Sequence, residues 1–155
     1  MIEISQKQLS DNIKSLFVHG AIFYVENYVF KDYSVRNKYL LVMRGLKEDG
    51  ECYFFLTTSQ VDKYRSNPLY NSRLYVFPKG SISCFNAETA IDISQVGRKP
   101  FRIFENRYVN QSTGNRLDYK MMIPDDHLKA ICNMISQSKE ISKFNKIQLI
   151  GSGSV

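Results

Sequence analysis

Residues 38–59, KYLLVMRGLKEDGECYFFLTTS, decide how this chain folds. From Leu40 to Met43 the apolar residues run without alternation, the pattern of a strand covered on both faces. Asp49-Gly50 then supplies a hairpin turn, because aspartate and glycine accept the positive φ that such turns require. The residues CYFFLTT, 52–58, return as the partner strand. A hairpin closed at Asp49-Gly50 sets the start of one strand, Lys38, beside the end of the other, where Thr57, Thr58 and Ser59 present three hydroxyls in a row. These hydroxyls either end the strand and begin a turn, or they stand at the mouth of a site for an oxygen-rich ligand such as phosphate.

Working outward, SQKQLSDNIKSLF at 5–17 carries Leu9, Ile13, Leu16 and Phe17 at helical spacing, with Ser5 as the cap. Gly20 breaks that pattern. A strand is predicted over 21–28, a polar basic loop follows in KDYSVRN, and the second strand runs over 38–45. After Ser59, QVDKYRSNPLYNSR reads as a long exposed loop around the Asn67-Pro68 turn signal. Strands are predicted at 74–78, in SISCF, at 89–94 and at 117–123, whereas the residues from Gly97 to Arg116 give no clear pattern apart from a turn at Gly114. Pro124 and two aspartates open a last helix, in which Leu128, Ile131, Cys132 and Ile135 share a face. The order is helix, five to seven short strands, helix. It predicts an α+β protein, mainly β, with a curved antiparallel sheet or barrel packed by helices. One domain spans 1–150, and GSGSV at 151–155 has the composition of a flexible tail.

Composition narrows the function classes. The 155 residues are 43% hydrophobic and 23% charged, which suits a single core. No apolar run approaches the ~20 residues that span a bilayer, and the N-terminal residues lack the pattern of a secretion signal. A cytoplasmic protein without membrane contact is expected. Cys52, Cys84 and Cys132 are far apart, form no CxxC and have only His19 and His127 to help them, so they read as reduced core thiols, with no metal and no cofactor expected. The net charge of +6 is concentrated in two places, Lys31, Arg36, Lys38 and Arg44 in one and Arg98, Lys99, Arg102, Arg107 and Arg116 in the other. Tyrosines interleave with both sets. Rings that stack on bases beside cations that hold phosphates make a surface for single-stranded RNA; the same residues also suit an aromatic core with solvated charges.

The strand that opens at Gly20 in HGAIFYV, the basic loop before KYLLVM, the strand ending in FFLTTS and the acidic helix start IPDDHLKAI together resemble the PemK/MazF-like toxins of type II toxin–antitoxin systems, over roughly residues 18–141. The resemblance implies an SH3-like antiparallel barrel, a homodimer, cleavage of single-stranded RNA and an antitoxin protein as partner. It also implies two site positions. The hydroxyl after the third strand falls on Thr57 or Thr58, with Thr57 the better match; the arginine that opens the second strand falls on Lys38, where this chain departs from the family's Arg-Pro and has Arg36 close by.

That departure bears on chemistry, since a guanidinium grips two phosphate oxygens while an ammonium is a point charge. Lys38, Thr57 and Arg36 are the expected catalytic group, and Thr58, Tyr64, Arg65, Tyr70 and Arg73 the expected RNA-binding group, the last four carried by a mobile loop from Gln60 to Arg73. Nothing in the sequence brings His19 and His127 together as an acid–base pair. Glu88 and Asp92, four apart on one strand face, read as exposed carboxylates rather than a hydrolase pair. The competing expectations are a toxin-like endoribonuclease, a catalytically silent barrel that binds RNA or protein through the same groove, and an antitoxin-regulated toxin with a target other than RNA.

Overall fold

The computed structural model describes residues 4–46 and 49–151. Ser5 caps the first helix, α1 (Gln6–Leu16), in a reciprocal capping box with Gln8. Strands β1 (Ala21–Val29), β2 (Val35–Arg44) and β3 (Glu51–Thr58) follow as antiparallel neighbours. Helix α2 (Val61–Arg65) and a 3₁₀ turn (Pro68–Tyr70) lead to β4 (Leu74–Phe77) and β5 (Thr89–Asp92). Then come β6 (Gly97–Pro100), α3 (Phe101–Val109), β7 (Leu117–Met122), α4 (Asp125–Gln137) and α5 (Lys143–Ile150).

The protein is α+β, with helices at both ends and one antiparallel seven-stranded sheet in the order β4-β5-β3-β2-β1-β7. β3 changes partner along its length: Glu51–Phe54 pair with β6, Thr57–Thr58 with β5. β4 and β7 do not pair, so the sheet is not closed, an arrangement loosely consistent with the SH3-like barrel that the resemblance implied.

The unalternating apolar runs have their predicted cause. On one face Leu41, Met43, Tyr53 and Phe55 meet Ile131, Ile135 and Leu149 from α4 and α5; on the other Leu40, Val42, Cys52 and Phe54 meet Ile13, Phe17, Phe101 and Phe104 from α1 and α3. The sheet needs Gly97 where β6 crosses β3, because a Cβ there would fall 2.4 Å from the Phe54 ring, its register partner.

Several boundaries differ from expectation. Val35, Arg36 and Asn37 belong to β2, not to a loop, since Val35 and Arg36 pair with Val29 and Tyr28 across a bulge in β1. SISCF forms turns, with Ser81 and Phe85 donating to the carbonyls of Pro78 and Ile82; Ile82 and Phe85, three apart, both reach the core, which a strand's period of two would prevent. The unreadable stretch holds β6 and α3, whose Phe101, Phe104 and Tyr108 follow a helical period once the start is known. α5 lies beyond the predicted last helix, capped by Ser142. Of the tail only Gly151 is described; residues 152–155 lie outside the described residues, as do 47–48 next to the predicted turn. Among the described residues no helix is long and apolar enough to cross a membrane.

Candidate functional site

The start of β2 and the end of β3 border a groove of about 1080 Å³. Its walls bring together both basic segments of the sequence: Lys31, Arg36 and Lys38 from β2 and the turn before it, Arg98 and Lys99 from β6. Tyr28, Tyr33, Tyr64 and Tyr70 line it as well. Against the five cations stand Asp32 and Asp92. Asp32 is held by the Ser34 hydroxyl and N–H, which lower its pKa, and Asp92 is engaged by Arg73 and Ser94. Arg98 has Glu51 at 3.7 Å, whereas no salt bridge among the described residues engages Lys31, Arg36, Lys38 or Lys99. The groove therefore carries a positive field open to a polyanion.

Arg36 and Lys38 are two apart in a regular strand and so share a face. The half-buried Lys38 ammonium donates to the Thr57 carbonyl at 3.1 Å. Burial, and then the Arg36 charge, hold its pKa below the usual lysine value. Lys99 is lowered in the same way, by burial first and Arg107 second, and its ammonium lies 4.7 Å over the Tyr28 ring.

Thr57 meets Lys38 through its main chain only. Alternation along β3 puts its side chain on the Tyr53 and Phe55 face, opposite to the face that Lys38 shares with Leu40 and Val42. It is buried, and its hydroxyl donates to the Tyr39 carbonyl at 3.2 Å. The expected phosphate-facing donor is therefore spent on the backbone. Thr58 falls on the Lys38 face, lines the groove and accepts from the Gln60 N–H, which leaves its own proton for another acceptor.

The segment after Ser59 is α2 and a 3₁₀ turn rather than a free loop, because Val61 is buried and the Asn67 side chain caps Leu69 N–H. Tyr64 and Tyr70 from it reach the groove, edge to face at 4.9 Å. Arg65 and Arg73 are occupied elsewhere: Arg65 pairs with Glu88 at 2.9 Å and Asp62 at 3.3 Å, and Arg73 lies over the Tyr70 ring between Asp92 and Glu140, each at 3.5 Å. Glu88 and Asp92 are thus partners of separate arginines. Val61→Ala is expected to cost about 2 kcal/mol in urea denaturation; a loss under about 0.5 kcal/mol would restore the free-loop reading.

His19 and His127 lie apart from the groove, bonded to the Met43 carbonyl at 2.6 Å and the Tyr75 hydroxyl at 2.7 Å. The three cysteines are free thiols, and burial drives Cys52 up to about 12. Tyr33 escaped the sequence reading. It is 86% exposed and holds φ at +65°, a strained conformation for an aromatic residue, in the turn that Asp32 fixes through Ser34. Among known proteins, no family model matches the chain, and no curated protein does either.

Proposed function

We propose that the groove binds single-stranded RNA and that Arg36 and Lys38 cleave it, as the resemblance to PemK/MazF-like toxins implies. The observation that carries this reading is the meeting of two distant basic segments and four tyrosines in one groove, with Lys38, whose pKa is lowered, beside Arg36 in its lining. Phosphates of an extended strand take Lys31, Arg36 and Lys99, and unpaired bases stack on Tyr33, Tyr64 and Tyr70. In the reaction the 2′-oxygen attacks its own phosphorus and its proton passes to water. Arg36 neutralises the non-bridging oxygens, and Lys38 protonates the 5′-oxygen as the P–O5′ bond breaks. Thr58, not Thr57, supplies the hydroxyl contact. An antitoxin protein would compete for the same groove, and a second copy of the chain is the expected partner in solution.

The test is incubation of the protein with generic single-stranded RNA in EDTA. Cleavage that leaves 2′,3′-cyclic phosphate ends is expected, and none from RNA whose 2′-hydroxyls are all methylated. Cleavage of the methylated strand would exclude internal attack. A second reading, a silent binding module, is favoured by the engaged Thr57 hydroxyl; salt-dependent binding without cleavage under any of these conditions would establish it in place of the nuclease.

A further inference from the structure

A second cavity, about 300 Å³, shares Lys38 and Thr57 with the groove. Three aromatic rings build its walls: Tyr24 meets Tyr39 edge to face at 5.2 Å, and Tyr39 meets Phe85 in the same way at 5.2 Å. Lys120 stands 5.7 Å over the Tyr24 ring, a cation within reach of a phosphate. Asn37, Ser59 and Asn86 add polar groups to the lining.

Asn37 gives the cavity a direction. In the β1 bulge the Asn27 N–H donates to Asn37 Oδ1 at 2.9 Å. A main-chain N–H bonds only an acceptor, so the amide orientation is fixed, the oxygen is used, and the NH₂ remains to donate. Asn37 lines the cavity, so a ligand seated there beside the rings meets an amide whose NH₂ makes no hydrogen bond among the described residues.

This cavity lies on the other face of β2 from the groove, and the two meet at Lys38 and Thr57. We propose that it receives one unpaired base of an RNA strand that leaves the groove past Lys38 and Thr57, and that Asn37 selects a base with an exocyclic carbonyl, such as uracil, over adenine. The proposal rests on the RNA reading of the groove. A planar base satisfies the aromatic walls, and its carbonyl satisfies the Asn37 amide. Adenine carries an amine at the position of that carbonyl, so a base held in the same pose sets donor against donor, and a partner is regained only in a shifted pose that offers a ring nitrogen. One such mismatch corresponds to about tenfold in affinity.

The probes are end-labelled octamers of 2′-O-methyl uridine and 2′-O-methyl adenosine, which internal attack cannot cut, followed by fluorescence anisotropy at several salt concentrations. Oligoadenosine stacks on itself, so the deciding quantity is the change in the uridine-to-adenosine affinity ratio on substitution. Asn37→Asp keeps the acceptor for Asn27 N–H, and thus the bulge, but removes the donor; the ratio is expected to fall about tenfold while the added charge weakens both octamers alike. Ala87→Phe, at an exposed position of the lining, fills the cavity and should lower the ratio with no change in salt dependence. Salt-dependent binding with a ratio that neither variant alters would overturn the cavity assignment and leave the RNA groove standing. Absence of salt-dependent binding by the wild type would overturn both.

Discussion

Gly45→Ala is expected to remove the cooperative fold, although it adds one methyl group. Gly45 follows β2 directly, and a Cβ on it would lie 1.9 Å from the Phe17 carbonyl oxygen and 3.0 Å from its carbon. Both are main-chain atoms, so no rotamer change relieves the overlap. Phe17 has nowhere to go. Its N–H donates to the Ile13 carbonyl at 2.8 Å, and its buried ring lies against Phe23 at 5.0 Å, Phe104 at 5.1 Å and Phe101 at 5.6 Å. To clear the methyl, α1 would have to leave the aromatic cluster that fastens it to α3. The expected loss exceeds about 4 kcal/mol, a large part of a domain's total stability. A circular-dichroism melt should show a fall of at least about 10 °C or no transition at all. A melting temperature within about 2 °C of the wild type would show that α1 slides freely over the sheet end.

Lys38→Met should move activity and stability in opposite directions. On the proposed mechanism, loss of the proton donor for the leaving oxygen is expected to slow cleavage by about 10²–10⁴-fold. RNA affinity should weaken much less, and the slope of log K against log salt should become shallower by about 0.7, one phosphate contact to a single strand. Stability should rise at neutral pH. The folded chain binds the Lys38 proton more weakly than the unfolded chain, whose lysine has the usual value of 10.5, because burial and Arg36 disfavour the ammonium. The cost of that charge is therefore fully present below the folded pKa and is relieved as pH rises through the window ending near 10.5, so the gain from methionine should shrink over the same window. Thermal melts of both proteins at pH 7 and at pH 10.5 would check it. A variant less stable than the wild type at pH 7 would mean that the bond to the Thr57 carbonyl outweighs burial, and Lys38 would then be a structural strut.

Legibility in the sequence followed the range of the forces involved. Local signals were readable: the Ser5 cap, the helical face from Leu128 to Ile135, and the uninterrupted apolar run of β2 that announced cover on both sides. Lys38 was legible as a neighbour of the β3 end because hairpin closure fixes that distance, with Arg36 expected close by in a loop rather than in β2 itself. Thr57 shows the limit. Sequence placed it at the right end of the right strand, but which of two adjacent hydroxyls faces the cations depends on pairing register, and a shift of one residue reverses the face.

Arg65 and Arg73 have partners within the protein that the sequence did not announce, for a related reason. Their composition suits phosphate, yet Glu88, Asp92 and Glu140 reach them across long chain separations that no local pattern encodes. By itself the sequence determined the class of fold, the elements with a strong period and the chemistry on offer, cations interleaved with tyrosines. Only the tertiary structure decided that the sheet stays open, that β6 carries Arg98 and Lys99 to the same groove as Lys38, and that Asn37, its oxygen bonded to Asn27 N–H, lines an aromatic cavity. Those outcomes rest on strand partners distant along the chain and on a bulge, where many weak contacts act together and no short stretch of sequence holds enough of them to fix the result.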